Sequence, residues 1–72
     1  MEVKIHEVVY AEIRDRGRIL RVDEDGHVEI RRQRYLGWEW EYYDRTNDDH
    51  ADIRWAGAAA IANHYEKKRE NA

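Results

Sequence analysis

From residue 3 to about residue 44 the chain alternates apolar and polar side chains in short runs rich in Val, Ile, Tyr and Trp, the period-two pattern of strands with one buried face. Gly17, Gly26 and Gly37 each close a short polar or turn-like segment between these runs. Glycine tolerates the positive φ that tight hairpins need, so three turns are placed there. They separate four predicted strands, at about 3–14, 18–23, 27–34 and 38–44. Beyond residue 44 the period changes. Ile53, Ala56, Gly57, Ala60, Ile61 and His64 or Tyr65 recur at helical spacing, which predicts a helix over about 50–69 and leaves 70–72 as a tail. The fold class is α+β: a four-stranded antiparallel β-meander packed on one C-terminal Ala-rich helix, in a single domain.

Register follows from side-chain chemistry, because a one-residue slip reverses every side chain of a strand. A three-residue Glu24-Asp25-Gly26 loop pairs Val22 with Val28 and Leu20 with Ile30 on one face, and Arg21 with Glu29 on the other. A two-residue Arg16-Gly17 loop pairs Ile13 with Leu20 and Ala11 with Val22 inward, and Glu12 with Arg21 outward. The three-residue template applied to Tyr35-Leu36-Gly37 pairs Ile30 with Tyr42, Arg32 with Trp40 and Arg34 with Trp38 inward, and Arg31 with Glu41 outward. The first strand cannot keep one parity: Val3 and Ile5 agree with Val9, Ala11 and Ile13, but Glu7 interrupts them. A bulge near Glu7 is predicted.

The connector Asp44-Arg45-Thr46-Asn47-Asp48-Asp49 is rich in helix-capping residues, with Asp48 or Asp49 as the N-cap and Asp52 suiting the positive end of the helix dipole. Lys67, Lys68 and Arg69 suit the other end. Gly57 costs about 1 kcal/mol relative to Ala inside a helix, so it asks for a packing reason. The small face it forms with Ala56 and Ala58 to Ala60 would let the helix lie close against large inward side chains such as Trp38, Trp40 and Tyr42.

Seventy-two residues make a small core, since a chain of this length hides only about 60% of the surface it exposes when unfolded. Charged residues are 40% of the chain and the 13 basic against 16 acidic residues leave a net charge of −3, which argues against non-specific nucleic-acid binding. With no cysteine, neither a disulfide framework nor a thiolate zinc site is available. The opening Met-Glu-Val-Lys-Ile-His has no signal-like apolar run and no stretch approaches the ~20 apolar residues of a membrane span, so a cytoplasmic protein without a membrane partner is expected.

No motif for catalysis or phosphate binding is present, and no cofactor is implied. Asp48, Asp49, His50 and Asp52 are the densest set of metal-ligand types, but capping accounts for the three acids and no metal site is predicted. Glu7, Glu12 and Glu29 with His6, His27 or His64 would need a cleft to act as acid and base, and a meander with one helix offers none. Most of the charge reads as an outward row of Glu12, Arg21, Glu29, Arg31 and Glu41, explained by cross-strand pairing.

What the fold does not consume is concentrated at the third turn. Arg32, Arg34, Tyr35, Leu36, Trp38 and Trp40, with Tyr43 in the last strand, have the composition of a protein-binding hot spot. The last strand also ends the meander, where a partner could add a strand or two copies could form a homodimer edge to edge. The expected function is therefore a small non-enzymatic protein-binding module. In size, acidity and want of a catalytic set it is similar to the compact inhibitors of phages and mobile elements, anti-CRISPR proteins among them. The alternative is sheet-based DNA binding. A short antiparallel sheet backed by one Ala-rich helix resembles the arm-binding domains of tyrosine recombinases and the plant ethylene-response DNA-binding domain. That resemblance implies Arg14, Arg16, Arg18, Arg21, Arg31 and Gln33 as contacts, with Glu12, Glu29 and Glu41 opposing it on the same face.

Overall fold

The computed structural model describes residues 1–70. Five strands run in the order β1 (Glu2–His6), β2 (Tyr10–Asp15), β3 (Arg18–Asp23), β4 (Val28–Arg34) and β5 (Gly37–Tyr42), followed by α1 (His50–Glu70). The strands form one antiparallel meander in sequence order. Glu70, expected in a tail, belongs to the helix, and residues 71–72, the rest of that expected tail, lie outside the described residues.

The architecture is α+β with one strand more than predicted. The segment expected as a single bulged strand folds back on itself, with Glu7, Val8 and Val9 forming a turn and Ile5 pairing with Ala11 and Val3 with Ile13. The change of parity at Glu7 marks this reversal. Its turn carries no Gly, Asn or Pro, so the usual sequence cue is missing.

The next two hairpins follow the predicted registers. Arg16 and Gly17 both take positive φ, 49° and 74°, as the twist of a two-residue hairpin requires, and Ile13 pairs with Leu20 and Glu12 with Arg21. Gly26 is left-handed at φ 83°, with Leu20 against Ile30 and Arg21 against Glu29.

The third hairpin differs. Its loop is the two residues Tyr35 and Leu36, and Gly37, at φ 127°, already pairs with Arg34. Arg32 therefore faces Glu39, Arg31 faces Trp40 and Gln33 faces Trp38. This one-residue slip turns Trp38, Trp40 and Tyr42 onto the face away from the helix, correcting the expected inward placement. Two gains accompany it. Arg32 and Arg34 meet Glu39 and Glu41 on the helix-side face instead of indole rings. Tyr43 rather than Tyr42 enters the core, with its N–H bonded to the Val28 carbonyl at 3.0 Å.

The core is Ala11, Ile13, Leu20, Val22, Val28, Ile30, Tyr43, Ile53 and Ile61, with no buried polar or charged residue among the described residues. Gly57 has its packing reason, but the partner is Val22 rather than an aromatic: a Cβ on Gly57 would stand 2.5 Å from the Val22 Cβ. The helix lies over β1, β2 and β3, touches β4 and, among the described residues, does not reach β5.

One polar network fixes the start of the helix. Asp49 immediately precedes α1, and its carbonyl accepts the first helical bond from Ile53 N–H at 2.9 Å. Its carboxylate reaches sideways, accepting from the Tyr43 hydroxyl (2.5 Å), Arg18 Nη2 (2.8 Å) and Arg16 Nη2 (2.9 Å). These hydrogen bonds from Tyr43 and Arg18 hold the Asp49 carboxyl below its ordinary value. The β2–β3 turn, the end of β5 and the helix N-terminus are thereby tied at one point. No helix among the described residues is long and apolar enough to cross a membrane.

Candidate interaction surface

The β3–β4 ladder ends at Leu20 and Ile30, whereas β4 continues to Arg34 with only β5 beside it. Residues 31–39 consequently form a two-stranded ribbon that stands clear of the sheet, and every residue in it is exposed.

Alternation gives the ribbon two unlike faces. On the helix side, Arg32 Nε lies 3.7 Å from Glu41, Arg34 Nε lies 3.9 Å from Glu39, and Arg34 also pairs with Glu41. These charges neutralise one another across the strands. On the opposite side, Arg31 stacks over Trp38 at 4.9 Å, and Arg21 of β3 lies over Trp40 at 4.3 Å and over Tyr10 of β2 at 5.7 Å. A guanidinium over an indole face is attracted by the ring's quadrupole, by about 0.5–1 kcal/mol at an exposed site. Trp38 is still 58% exposed and Tyr42 64%, and at the tip Tyr35 and Leu36 are fully exposed.

The helix-free face is electrically balanced. Its basic residues Lys4, Arg14, Arg21 and Arg31 are matched by Glu2, Glu12, Asp23 and Glu29 at the same parity. Arg14 Nε donates to Glu12 at 3.1 Å and Arg21 Nε to Glu29 at 2.9 Å. Partial burial alone would raise the Glu12 carboxyl, but Arg14 and the nearby His6 outweigh it and hold the group below its ordinary value. His6 stacks on Tyr10 at 4.6 Å and extends the aromatic row toward β1.

The residues expected at a protein-binding site are thus divided. Trp38 and Trp40 share the helix-free face, Arg32 and Arg34 the reverse face of the ribbon, and Tyr35 its tip. Tyr43 belongs to the core, 6% exposed, and has no surface to offer a partner. Among the DNA-contact candidates, Arg14, Arg21, Arg31 and Gln33 share the helix-free face, but Arg18 lies on the helix side beneath Tyr43 and Asp49, and Arg16 is engaged by Asp15 and Asp49. Tyr42, expected inward with Trp38 and Trp40, turns outward with them, and Tyr10, which the expected register had kept on the opposite face from the Trp pair, joins their row once the slip in β5 is known.

Asp23, Asp25 and His27 bring ligand-type atoms within 4.8 Å of one another. Asp23 already accepts from the backbone N–H groups of Asp25 and His27, both at 2.9 Å, and contacts His27 Nδ1 at 3.1 Å. That is the wiring of the β3–β4 turn. Asp44 organises the connector in the same way, accepting from Thr46 N–H and Oγ1.

Compared with protein families, with curated proteins and with solved structures, the chain matches none.

Proposed function

We propose that this is a non-enzymatic binding module that recognises another protein through the β4–β5 ribbon and the aromatic row continuous with it. The observation that carries the reading is the placement of Trp38, Trp40 and Tyr42 on the helix-free face of an edge strand, with Arg31 and Arg21 stacked against the indoles. Trp, Tyr and Arg dominate binding hot spots because they offer large contact area with few rotatable bonds. The Arg stacks limit ring motion before a partner arrives, which lowers the ordering cost of binding. The balanced charge of the face favours a protein over a polyanion. A module of this kind acts by occupying its partner's surface, the mode of compact cytoplasmic inhibitors, including those of the anti-CRISPR kind.

Sheet-based DNA binding is the second reading, favoured by the projecting ribbon itself, since a two-stranded ribbon fits a major groove and Arg31 and Gln33 lie side by side on one face of it. Opposing it are Glu12 and Glu29 on the same face.

Two measurements test the proposal. Trp38→Ala and Arg34→Ala should melt close to the wild type yet lose a partner that wild-type protein retains on a column, while Trp55→Ala, on the far side of the molecule, retains it. If Trp38→Ala and Arg34→Ala both unfold the domain, the ribbon is a structural element and the proposal fails. In a salt titration against duplex DNA, micromolar affinity that falls steeply with salt would replace the protein reading by the DNA reading.

A further inference from the structure

The sheet has two edges, β1 and β5. The helix lies over β1, whereas β5, among the described residues, packs against no element but β4. It carries no proline, lysine or bulge to deter a neighbouring strand.

The register shows which backbone groups of β5 are free. Along an antiparallel ladder, hydrogen-bonded pairs alternate with non-hydrogen-bonded ones. Arg34 and Gly37 close the two-residue loop as a bonded pair, and at the other end Tyr43 N–H bonds to the Val28 carbonyl. Both anchors give the same parity, so Gly37, Glu39 and Glu41 turn their N–H and C=O groups toward β4. Trp38, Trp40 and Tyr42 turn theirs to the open edge. The side chains of these three lie on the helix-free face, and those of Glu39 and Glu41 on the helix side. Arg21 of β3 and Arg31 of β4 draw the two indoles toward the sheet rather than across its edge.

We propose that β5 is a docking edge for an extended segment of another protein, which adds antiparallel as a further strand and alternates β-branched apolar residues with arginine or lysine. The inference rests on the ribbon reading above and names the chemistry of its partner. An antiparallel neighbour continues the order of every other ladder, and its residues directly opposite Trp38, Trp40 and Tyr42 exchange both backbone bonds with them. Those residues carry their side chains beside the aromatic row, where β-branched groups pack well. The residues between them fall beside Glu39 and Glu41, on a side where the helix does not reach. The Glu39 side chain is 64% exposed and that of Glu41 36%. A carboxylate has about four lone-pair sites, so each can accept from an added arginine while keeping its arginine on β4.

The charges nearest the edge are therefore acidic, with Arg32 and Arg34 one strand spacing, about 4.8 Å, further in. The same acids oppose two other occupants. A duplex would bring phosphates against them. A second copy, turned about the two-fold axis that antiparallel pairing of identical strands requires, would continue the glutamate face of one β5 into that of the other.

Blocked, fluorescently labelled seven-residue peptides alternating valine with arginine, or valine with glutamate, are the probes. By anisotropy the wild-type protein should bind the valine–arginine peptide about tenfold more tightly than the valine–glutamate one. N-methylation of its valines, whose N–H groups face β5, should abolish binding, whereas N-methylation of its arginines, whose N–H groups point away, should not. Hydrogen exchange should slow most at the amides of Trp38, Trp40 and Tyr42. Glu39→Gln/Glu41→Gln, with wild-type circular dichroism, should erase the preference for arginine. Equal binding of the two peptides, loss on methylating the arginines, or no binding of any peptide overturns the proposal. If the peptides are ignored while Trp38→Ala still releases the column-bound partner, strand addition falls and the ribbon reading survives. If the valine–arginine peptide binds as described while Trp38→Ala keeps that partner, the docking edge stands and the ribbon reading falls.

Discussion

Gly57→Ala probes the contact on which the whole helix–sheet packing rests. The new Cβ would lie 2.5 Å from the Val22 Cβ, 2.6 Å from its Cγ2 and 3.0 Å from its Cγ1. Carbon atoms rest at about 3.5–4.0 Å, so relief requires the helix to move outward by about 1 Å. Val22 cannot rotate away, because its Cβ is itself the nearest atom and it is fully buried. Alanine offers about 1 kcal/mol of better helix propensity. Overpacking costs about 1–3 kcal/mol, and here the outward shift also loosens Ile53 and Ile61, one turn to either side, so the upper half of that range applies. The net effect is a loss of about 1–2 kcal/mol, or a fall in Tm of roughly 5–15 °C for a domain of this size. Thermal and urea melts of the single variant measure it. Val22→Ala would keep the Cβ at 2.5 Å, whereas Val22→Gly removes all three contacting atoms, so the Gly57→Ala/Val22→Gly double variant should be more stable than the sum of the two single losses by about 1 kcal/mol or more. A Gly57→Ala protein that melts at or above the wild-type temperature would refute the close approach.

Tyr43→Phe keeps the buried ring but removes the hydroxyl shared by Asp49 and Arg18, and urea melts should show a loss of about 1–2 kcal/mol. Asp49 has a carboxyl that is more acidic folded than unfolded, so its stabilisation is complete above the ordinary carboxyl value of the unfolded chain and is lost as pH falls through the lower folded value. Asp49→Asn should accordingly flatten the acid limb of a stability–pH curve, and an unchanged limb would remove Asp49 from the network. Arg16 holds φ at 49°, a region that Asn tolerates better, and its pairs with Asp15 and Asp49 are largely exposed. Arg16→Asn should therefore leave Tm unchanged or raise it by a few degrees, and a large fall would show that those pairs matter more than the turn.

How far the sequence reveals this fold depends on whether a turn announces itself. The Arg16-Gly17 and Glu24-Asp25-Gly26 hairpins are legible because one register alone puts Ile13, Leu20, Val22, Val28 and Ile30 on one side with Arg21 and Glu29 on the other. Glu7-Val8-Val9 gives no such notice, since β-branched residues occupy the reversal and only the broken parity hints at it. At Tyr35-Leu36-Gly37 the sequence supports two registers equally well. Either brings acids against arginines, on one face as Arg31 with Glu41 or on the other as Arg32 with Glu39. What separates them is the core, which accepts Tyr43 because its hydroxyl reaches Arg18 and Asp49, residues far from it in the chain. The Arg and Trp content of the candidate surface is visible from composition, whereas the face each side chain occupies depends on that distant choice.

The ribbon beyond Ile30 holds no core residue. Substitutions there can rewrite shape, charge and aromatic content without removing any of the contacts that keep the domain folded. A partner that altered its own surface could be followed by changes confined to the tip, and a foreign recognition sequence could be grafted between Arg31 and Trp38 onto a scaffold that would not register the exchange. In that sense the domain separates the part that must stay constant from the part that is free to change, at the point where β4 leaves β3.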